Sequence, residues 1–310
     1  MAVELARTGV DVSVVARGPH LAAMREHGLR LRIDGEERMA RLSCTDAPSE
    51  LGVQDFVIIA LKAHMISDAV DSMNPLLGEA TCVVTASNGL PYWYFSESSA
   101  LPEDVALGSI DPGGRQARVL GAERAVGCVV FPAAEIVAPG VIRHEHGRKF
   151  PIGEPDGRRS ARIEALHRIL SEAGLDAPIR SDIRDEIWLK LWGNLCFNPI
   201  SALTRATIDV IARDPETRAV CKAMMAEASA IGERLGLKLR VDADRRIDGA
   251  AGLGPHKMSM LQDLESGRSM EVEPLVGVIQ ELGRLVDVPT PTTDVVLALL
   301  RQCARGMKLQ

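Results

Sequence analysis

The 310 residues contain no run of about 18 apolar residues, so no ordinary membrane-spanning helix is expected. They contain no Cys-x-x-Cys pair. The six cysteines, at 44, 82, 128, 196, 221 and 303, are scattered, which favours reduced core thiols and a cytoplasmic setting over a disulfide or zinc framework. Positive charge is not in excess: 36 Lys and Arg against 42 Asp and Glu give a net charge of −6, so a nucleic-acid partner, which needs a basic face, is not expected. Internal repeats and low-complexity tracts are missing, and residues 1–7 have neither the apolar core nor the cleavage site of a secretory signal. His144-Glu145-His146 would put two imidazoles on one strand face, but with no third ligand in view the segment reads as an exposed edge and no metal is expected.

What is present is globular. A hydrophobic content of 46% with 25% charged residues, over a chain long enough for two domains, argues for packed cores. Residues 2–8 read as a helix end stopped by Gly9, residues 11–16 as a β-branched strand, and residues 19–27 as a short helix stopped by Gly28. Residues 29–33 and 38–44 read as a hairpin around Asp34-Gly35. Continuous apolar runs at 56–61 and 82–85, separated by a helix over 65–77, suit strands buried on both faces of a parallel, doubly wound sheet. Residues 125–131, 135–144 and 149–152 read as antiparallel strands; a helix at 158–173 and a last strand at 177–180 follow. Beyond Ser181 the pattern is helical only, at 182–204, 214–236, 257–266, 269–286 and 291–305. The expected division is an α/β domain over 1–181 and an all-helical domain over 182–310.

One of those helices is apolar almost all round. It reads Ile187-Trp188-Leu189-Lys190-Leu191-Trp192-Gly193-Asn194-Leu195-Cys196-Phe197-Asn198-Pro199. Lys190, Asn194 and Asn198 stand four residues apart, so they share one drifting stripe. Taken singly, a helix lysine snorkels to water and an asparagine is a surface or cap residue. Together on such a helix they need a carboxylate or a ligand to satisfy them, which makes the stripe the candidate active site.

With Val14-Val15-Ala16-Arg17, Leu61-Lys62-Ala63, Ser87-Asn88-Gly89, Trp188-Leu189-Lys190-Leu191 with Asn194 and Asn198-Pro199, and Ser259-Met260-Leu261-Gln262-Asp263 leading to Glu271, the chain resembles the 2-dehydropantoate 2-reductase (ketopantoate reductase) family over nearly its whole length. The resemblance implies a Rossmann-like α/β domain followed by an all-α domain of the 6-phosphogluconate dehydrogenase-like type. It also implies reduction of a 2-keto acid by NADPH on the pantothenate route to coenzyme A. By resemblance Lys190 is the general acid and Glu271 the carboxylate that keeps it charged. Asn194 and Asn198 bind substrate hydroxyl or carbonyl groups, Ser259 the substrate carboxylate, and Asn88 the nicotinamide end of the site and the substrate. For Glu271 the plain alternative is an ordinary helix charge, and for Ser259 an N-cap of the helix it opens. Arg17 follows the strand whose end meets the adenosine ribose; an arginine with no carboxylate there suits the 2′-phosphate of NADP. Lys62, after a buried strand, is expected near the cofactor and the domain cleft, or else as a solvated loop lysine.

The chain departs from the family's pattern in its opening. The strand, the Gly-x-Gly-x-x-Gly turn and the helix N-terminus that hold a pyrophosphate are not in the 310 residues. Two expectations compete: a true start upstream, or a truncated protein with weak dinucleotide affinity and poor solubility. Without that first strand, two apolar strand edges are expected to stay open or to close on each other. Ser87 stands where Gln is expected in many relatives, and Tyr92-Trp93-Tyr94-Phe95 is either loop packing, an oligomer contact or a pocket wall. The leading reading is an NADPH-dependent ketopantoate reductase acting on a small 2-keto acid. The rivals are a reductase of another 2-keto acid, an opine-type or hydroxyacid dehydrogenase, and a non-catalytic remnant. A homodimer paired through the long apolar helices is a further expectation.

Overall fold

The computed structural model describes residues 1–96, 101, 105–238 and 241–307. In chain order its elements are α1 (Ala2–Arg7), β1 (Ser13–Val15), α2 (Gly18–His27), β2 (Leu29–Ile33), β3 (Glu36–Ala40), β4 (Ser43–Thr45), β5 (Phe56–Ile59), α3 (Ala63–Ala69), β6 (Cys82–Thr85), α4 (Arg115–Leu120), β7 (Ala125–Cys128), β8 (Ala133–Ala138), β9 (Val141–His146), β10 (Ile152–Gly153), α5 (Ala161–Glu172), α6 (Ile183–Thr204), α7 (Ile208–Arg213), α8 (Pro215–Arg234), α9 (Ala243–Ala251), α10 (Ser259–Glu265), α11 (Val278–Leu285) and α12 (Pro291–Met307). They form two compact units. One comprises Met1–Leu61, Asp68–Ser87 and Arg118–Ile183; the other comprises Lys62–Ser67, Asn88–Ala117 and Arg184–Gln310.

The first unit is α/β. Its central sheet has the order β10-β7-β6-β5, parallel through β5, β6 and β7, with β10 antiparallel at one edge. Every residue of β6 and β7 is buried, which explains their unbroken apolar sequences. Val84, Val126 and Ile152 pack with Ile163, Leu166 and Leu170 of α5 and Leu5 of α1 in one core. A second core joins Val3 of α1 and Met24 of α2 to Leu29, Leu31 and Ile33 of β2. The β2–β3 hairpin turns at Asp34 (φ 53°) and Gly35 (φ 78°), the double positive φ that a two-residue turn demands.

Several sequence expectations are corrected here. Residues 135–144 are not one strand: Gly140, at φ 71° after Pro139, folds the segment into the β8–β9 hairpin. Strand β7 is antiparallel to β10, as expected, and on its other side runs parallel to β6. His144 and His146 lie on β9, an inner strand between β2 and β8 rather than an edge. Residues 177–180 make only an isolated bridge, Ile152 with Ile179. The helix after β5 tightens into a 3₁₀ turn from Val70, where Pro75 removes an amide donor. Of the two outcomes for the strand edges, the structure has the open one: β1 pairs with β4 alone, and β5 is the outer strand of its own sheet.

The second unit is helical around α6. Its short helices α7 and α9 were not foreseen between the longer ones, although Asp242 caps α9 through the amides of Asp244 and Arg245. Glu227 of α8 does the same for α12 from a distance, accepting from the amides of Thr292 (2.7 Å) and Thr293 (2.9 Å). Among the described residues no helix is long and apolar enough to cross a membrane.

Candidate active site

Helix α6 carries 22 residues, and its apolar surface is covered by its neighbours. Trp188 and Trp192 are 1% and 2% exposed. The Trp192 indole donates to the Met225 carbonyl at 2.8 Å. The Trp188 ring packs against Gly232, where a Cβ would come within 3.2 Å of its Nε1. Tyr94 stacks on Trp188 with ring centroids 6.4 Å apart, and its hydroxyl donates to the Arg184 carbonyl at 2.8 Å. The aromatic run 92–95 therefore holds a loop onto α6. Burial pushes the Tyr94 phenol well above its ordinary pKa, Asp185 adds to the rise, and Arg184 opposes it.

From Ile187 to Ala202 only Leu189, Lys190 and Asn194 are not buried. The accessible part of this stretch thus coincides with two members of the polar stripe. The third, Asn198, is 1% exposed. Its side-chain oxygen accepts from the Ser259 hydroxyl at 3.1 Å and the Met260 amide at 3.2 Å. Met258 is the N-cap of α10 and offers no side-chain bond, so Asn198 does from α6 what a local cap residue would do. Ser259 is the first helical residue, not the cap.

Glu271 is 6% exposed. One carboxylate oxygen accepts from the Ala63 amide at 2.9 Å and the other from the Asn88 side-chain amide at 3.3 Å. It is therefore a buried, hydrogen-bonded acid rather than a solvated helix charge. Gly89, next to Asn88, has φ 84°, and a Cβ there would come within 2.9 Å of the Pro274 carbonyl oxygen. Only glycine permits both the backbone angle and the approach.

Lys62 is not a solvated loop lysine. Its ammonium lies 2.7 Å from the Asp263 carboxylate and donates to the Ser269 carbonyl at 2.7 Å. Asp263 also accepts from Arg268 at 3.0 Å. These contacts interlock: Lys62 precedes Ala63, which binds Glu271, and Asp263 lies one turn after Ser259 on α10. Lys62, Asn88, Lys190, Asn194, Asn198, Ser259 and Glu271 all belong to the second unit. Arg17 belongs to the first; it is exposed at the end of β1, where it begins α2.

Two partners escaped the sequence. Asp263 stands in a motif that the sequence offered, four residues after Ser259, and that spacing was the available signal. The Ala63 amide had none, because a backbone donor leaves no trace in residue identity.

The ketopantoate reductase PanE/ApbA family matches residues 1–157, and the family described as ketopantoate reductase PanE/ApbA C terminal matches residues 182–304. A 2-dehydropantoate 2-reductase of Mesorhizobium japonicum is 53% identical over 305 residues, covering 98% of this chain and 94% of that protein. A crystallised protein from Ralstonia solanacearum MolK2, provisionally described as a ketopantoate reductase, superposes with a TM-score of 0.93 at 40% identity, covering 98% of this chain and 93% of the other. The 2-dehydropantoate 2-reductase of Geobacter metallireducens GS-15 gives a TM-score of 0.83 at 26% identity, covering 97% and 94%. The chain belongs to the PanE/ApbA family of ketopantoate reductases, NAD(P)-dependent oxidoreductases built on a Rossmann fold.

Proposed function

We propose that this protein reduces 2-dehydropantoate to pantoate, with residues 1–181 as the NADP-binding domain and residues 182–310 as the substrate and catalytic domain. When bound, NADPH would supply the hydride that the C2 carbonyl carbon needs. Lys190 donates the proton that the carbonyl oxygen needs, and Glu271 keeps that amine in its charged form. Asn194 and the free amide donor of Asn198 bind substrate oxygens. Ser259 takes the carboxylate, and Asn88 orients the nicotinamide end. The observation that carries this reading is the exposure pattern of α6, in which the accessible stretch centres on Lys190 and Asn194 while the surrounding helix is dry.

NADPH is favoured over NADH by Arg17. Its guanidinium is exposed, begins α2 and makes no ion pair among the described residues, so it is available to a 2′-phosphate. Lys62 is less available, since Asp263 already neutralises it. Its part is to hold α10 and the Ala63 amide in place beneath Glu271.

The test is NADPH oxidation with ketopantoate, pyruvate and 2-ketoisovalerate, in the protein and its Lys190→Met variant. Ketopantoate is expected to be the preferred substrate, and the variant to lose about 10²- to 10⁴-fold in kcat. Full turnover by Lys190→Met, or no turnover of any of the three by the protein, would overturn the reading.

A further inference from the structure

A cation lies on α6 that no role above uses. Arg246, on α9, sits directly over Gly193: a Cβ on that glycine would come within 2.7 Å of Nη2, 3.2 Å of Nε and 3.3 Å of Cζ. The guanidinium therefore covers the helix surface one residue from Asn194 and one turn from Lys190. Its Nε is buried without a hydrogen-bond partner, and among the described residues no carboxylate pairs with it. Burial lowers its pKa, with the Cys196 thiol as the opposing neighbour. That thiol brings no counter-charge, because burial and the adjacent Cys221 thiol push its own ionisation far up.

A guanidinium whose Nε is shut off from water with no acid beside it is a costly arrangement. Arg38, Arg162, Arg218 and Arg301 each have a carboxylate at 2.6–2.8 Å. Arg246 instead lies against α6 at Gly193, between the accessible positions Lys190 and Asn194 in sequence. Gly193 is what makes the approach possible; any side chain there would displace the guanidinium.

We propose that Arg246 binds the carboxylate of the 2-keto acid and so determines specificity for a charged substrate. On a helix, neighbours three apart sit about 5–6 Å from each other, a span that a carboxylate and the adjacent carbonyl oxygen of one molecule can bridge. The planar fork of Arg suits a carboxylate bidentately, while Lys190 serves the carbonyl oxygen as the proposed acid. Ser259, which takes the carboxylate in the reading above, has its one hydroxyl proton on Asn198 and can donate to an anion only by turning from it, so a second, charged donor beside it would carry most of the anion's affinity. This inference rests on the reading of Lys190 as the reducing site's acid.

The experiment compares ketopantoate with its uncharged methyl ester in the protein and in Arg246→Gln, Arg246→Lys and Gly193→Ala, reading both binding by calorimetry and NADPH oxidation. Arg246→Gln is expected to raise Kd and KM for the acid about ten- to a hundredfold, with kcat changed much less and the ester unaffected. Arg246→Lys should recover part of the loss, and Gly193→Ala should weaken the acid by displacing the guanidinium. A merely structural Arg246 would weaken acid and ester alike. Equal acid affinity in Arg246→Gln and the unaltered protein, at unchanged Tm, would overturn the inference. If the protein binds ketopantoate through Arg246 yet reduces no 2-keto acid, the proposed reaction falls and the binding role stands.

Discussion

The side-chain oxygen of Asn198 accepts from the Ser259 hydroxyl at 3.1 Å, so two residues that the sequence offered separately as substrate ligands are ligands of each other. The same oxygen takes the Met260 amide, and through it α6 caps α10. Asn198 therefore has its acceptor committed to the fold and its amide donor left over.

That division separates two substitutions. Asn198→Ala strands the buried Met260 amide and is expected to cost about 1–3 kcal/mol of stability. Asn198→Asp keeps an acceptor at the start of α10 and should recover much of that loss, yet it removes the donor proposed for the substrate. Thermal unfolding and KM measured on both variants check this. The Asp variant should melt above the Ala variant while showing a raised KM for ketopantoate.

Gly89 fixes Asn88 against Glu271. A methyl group there meets the Pro274 carbonyl oxygen at 2.9 Å and forces a positive φ of 84° on an L-residue. Gly89→Ala is expected to destabilise the protein by about 1–3 kcal/mol. Because the strain is released next to Asn88, kcat/KM should fall further than the loss of folded protein explains. Denaturant unfolding beside steady-state kinetics distinguishes the two effects.

The parts of the fold that were legible are those where one side chain chooses the backbone. Gly9 and Gly28 end helices at positive φ, Asp34-Gly35 makes the hairpin turn, and the all-apolar runs of β5 and β6 lie parallel as read. The β8–β9 hairpin was missed because Ala-Pro-Gly-Val interrupts the alternation too briefly to stand out beside a continuous strand. Helix α9 was missed because a short, charged helix shows little apolar periodicity. On α6, the positions Lys190 and Asn194 stood out because polar residues on an apolar helix are costly, and they are among the few accessible ones between Ile187 and Ala202. The contacts of the other candidate residues were not legible, since the Ala63 amide on Glu271, the Asp263–Lys62 pair and the Arg246 guanidinium over Gly193 join segments remote in sequence, and pairing across such distances is set by tertiary packing.

The cysteines give a simple accessibility test. Cys82, Cys128, Cys196 and Cys221 are buried, whereas Cys44 and Cys303 are partly accessible. Burial also pushes the Cys44, Cys82 and Cys196 thiols above their ordinary pKa, so the reactive thiolate is scarce. A thiol reagent on the native protein should label Cys44 and Cys303 slowly and leave the other four unlabelled until denaturant is added. Mass spectrometry of the labelled peptides checks the order; early labelling of Cys196 would show that the second unit opens around α6.

Tyr94 predicts a pH dependence of stability with a definite sign. In the folded protein its neutral hydroxyl donates to the Arg184 carbonyl, and burial against Trp188 raises its pKa well above the ordinary phenol value. In the unfolded chain it titrates near pH 10. A raised folded pKa means that the stabilisation is complete below the unfolded value and is lost as pH rises beyond it, because the unfolded chain sheds a proton that the folded one retains. Tyr94→Phe removes both the hydrogen bond and the titration. At about pH 8 the variant should be the less stable by about 1 kcal/mol. Above about pH 10 the gap should close by about 1.4 kcal/mol per pH unit, and then reverse. Urea unfolding of both proteins between about pH 8 and pH 11 measures it; a gap that stays constant across that range would mean that the Tyr94 hydroxyl reaches water.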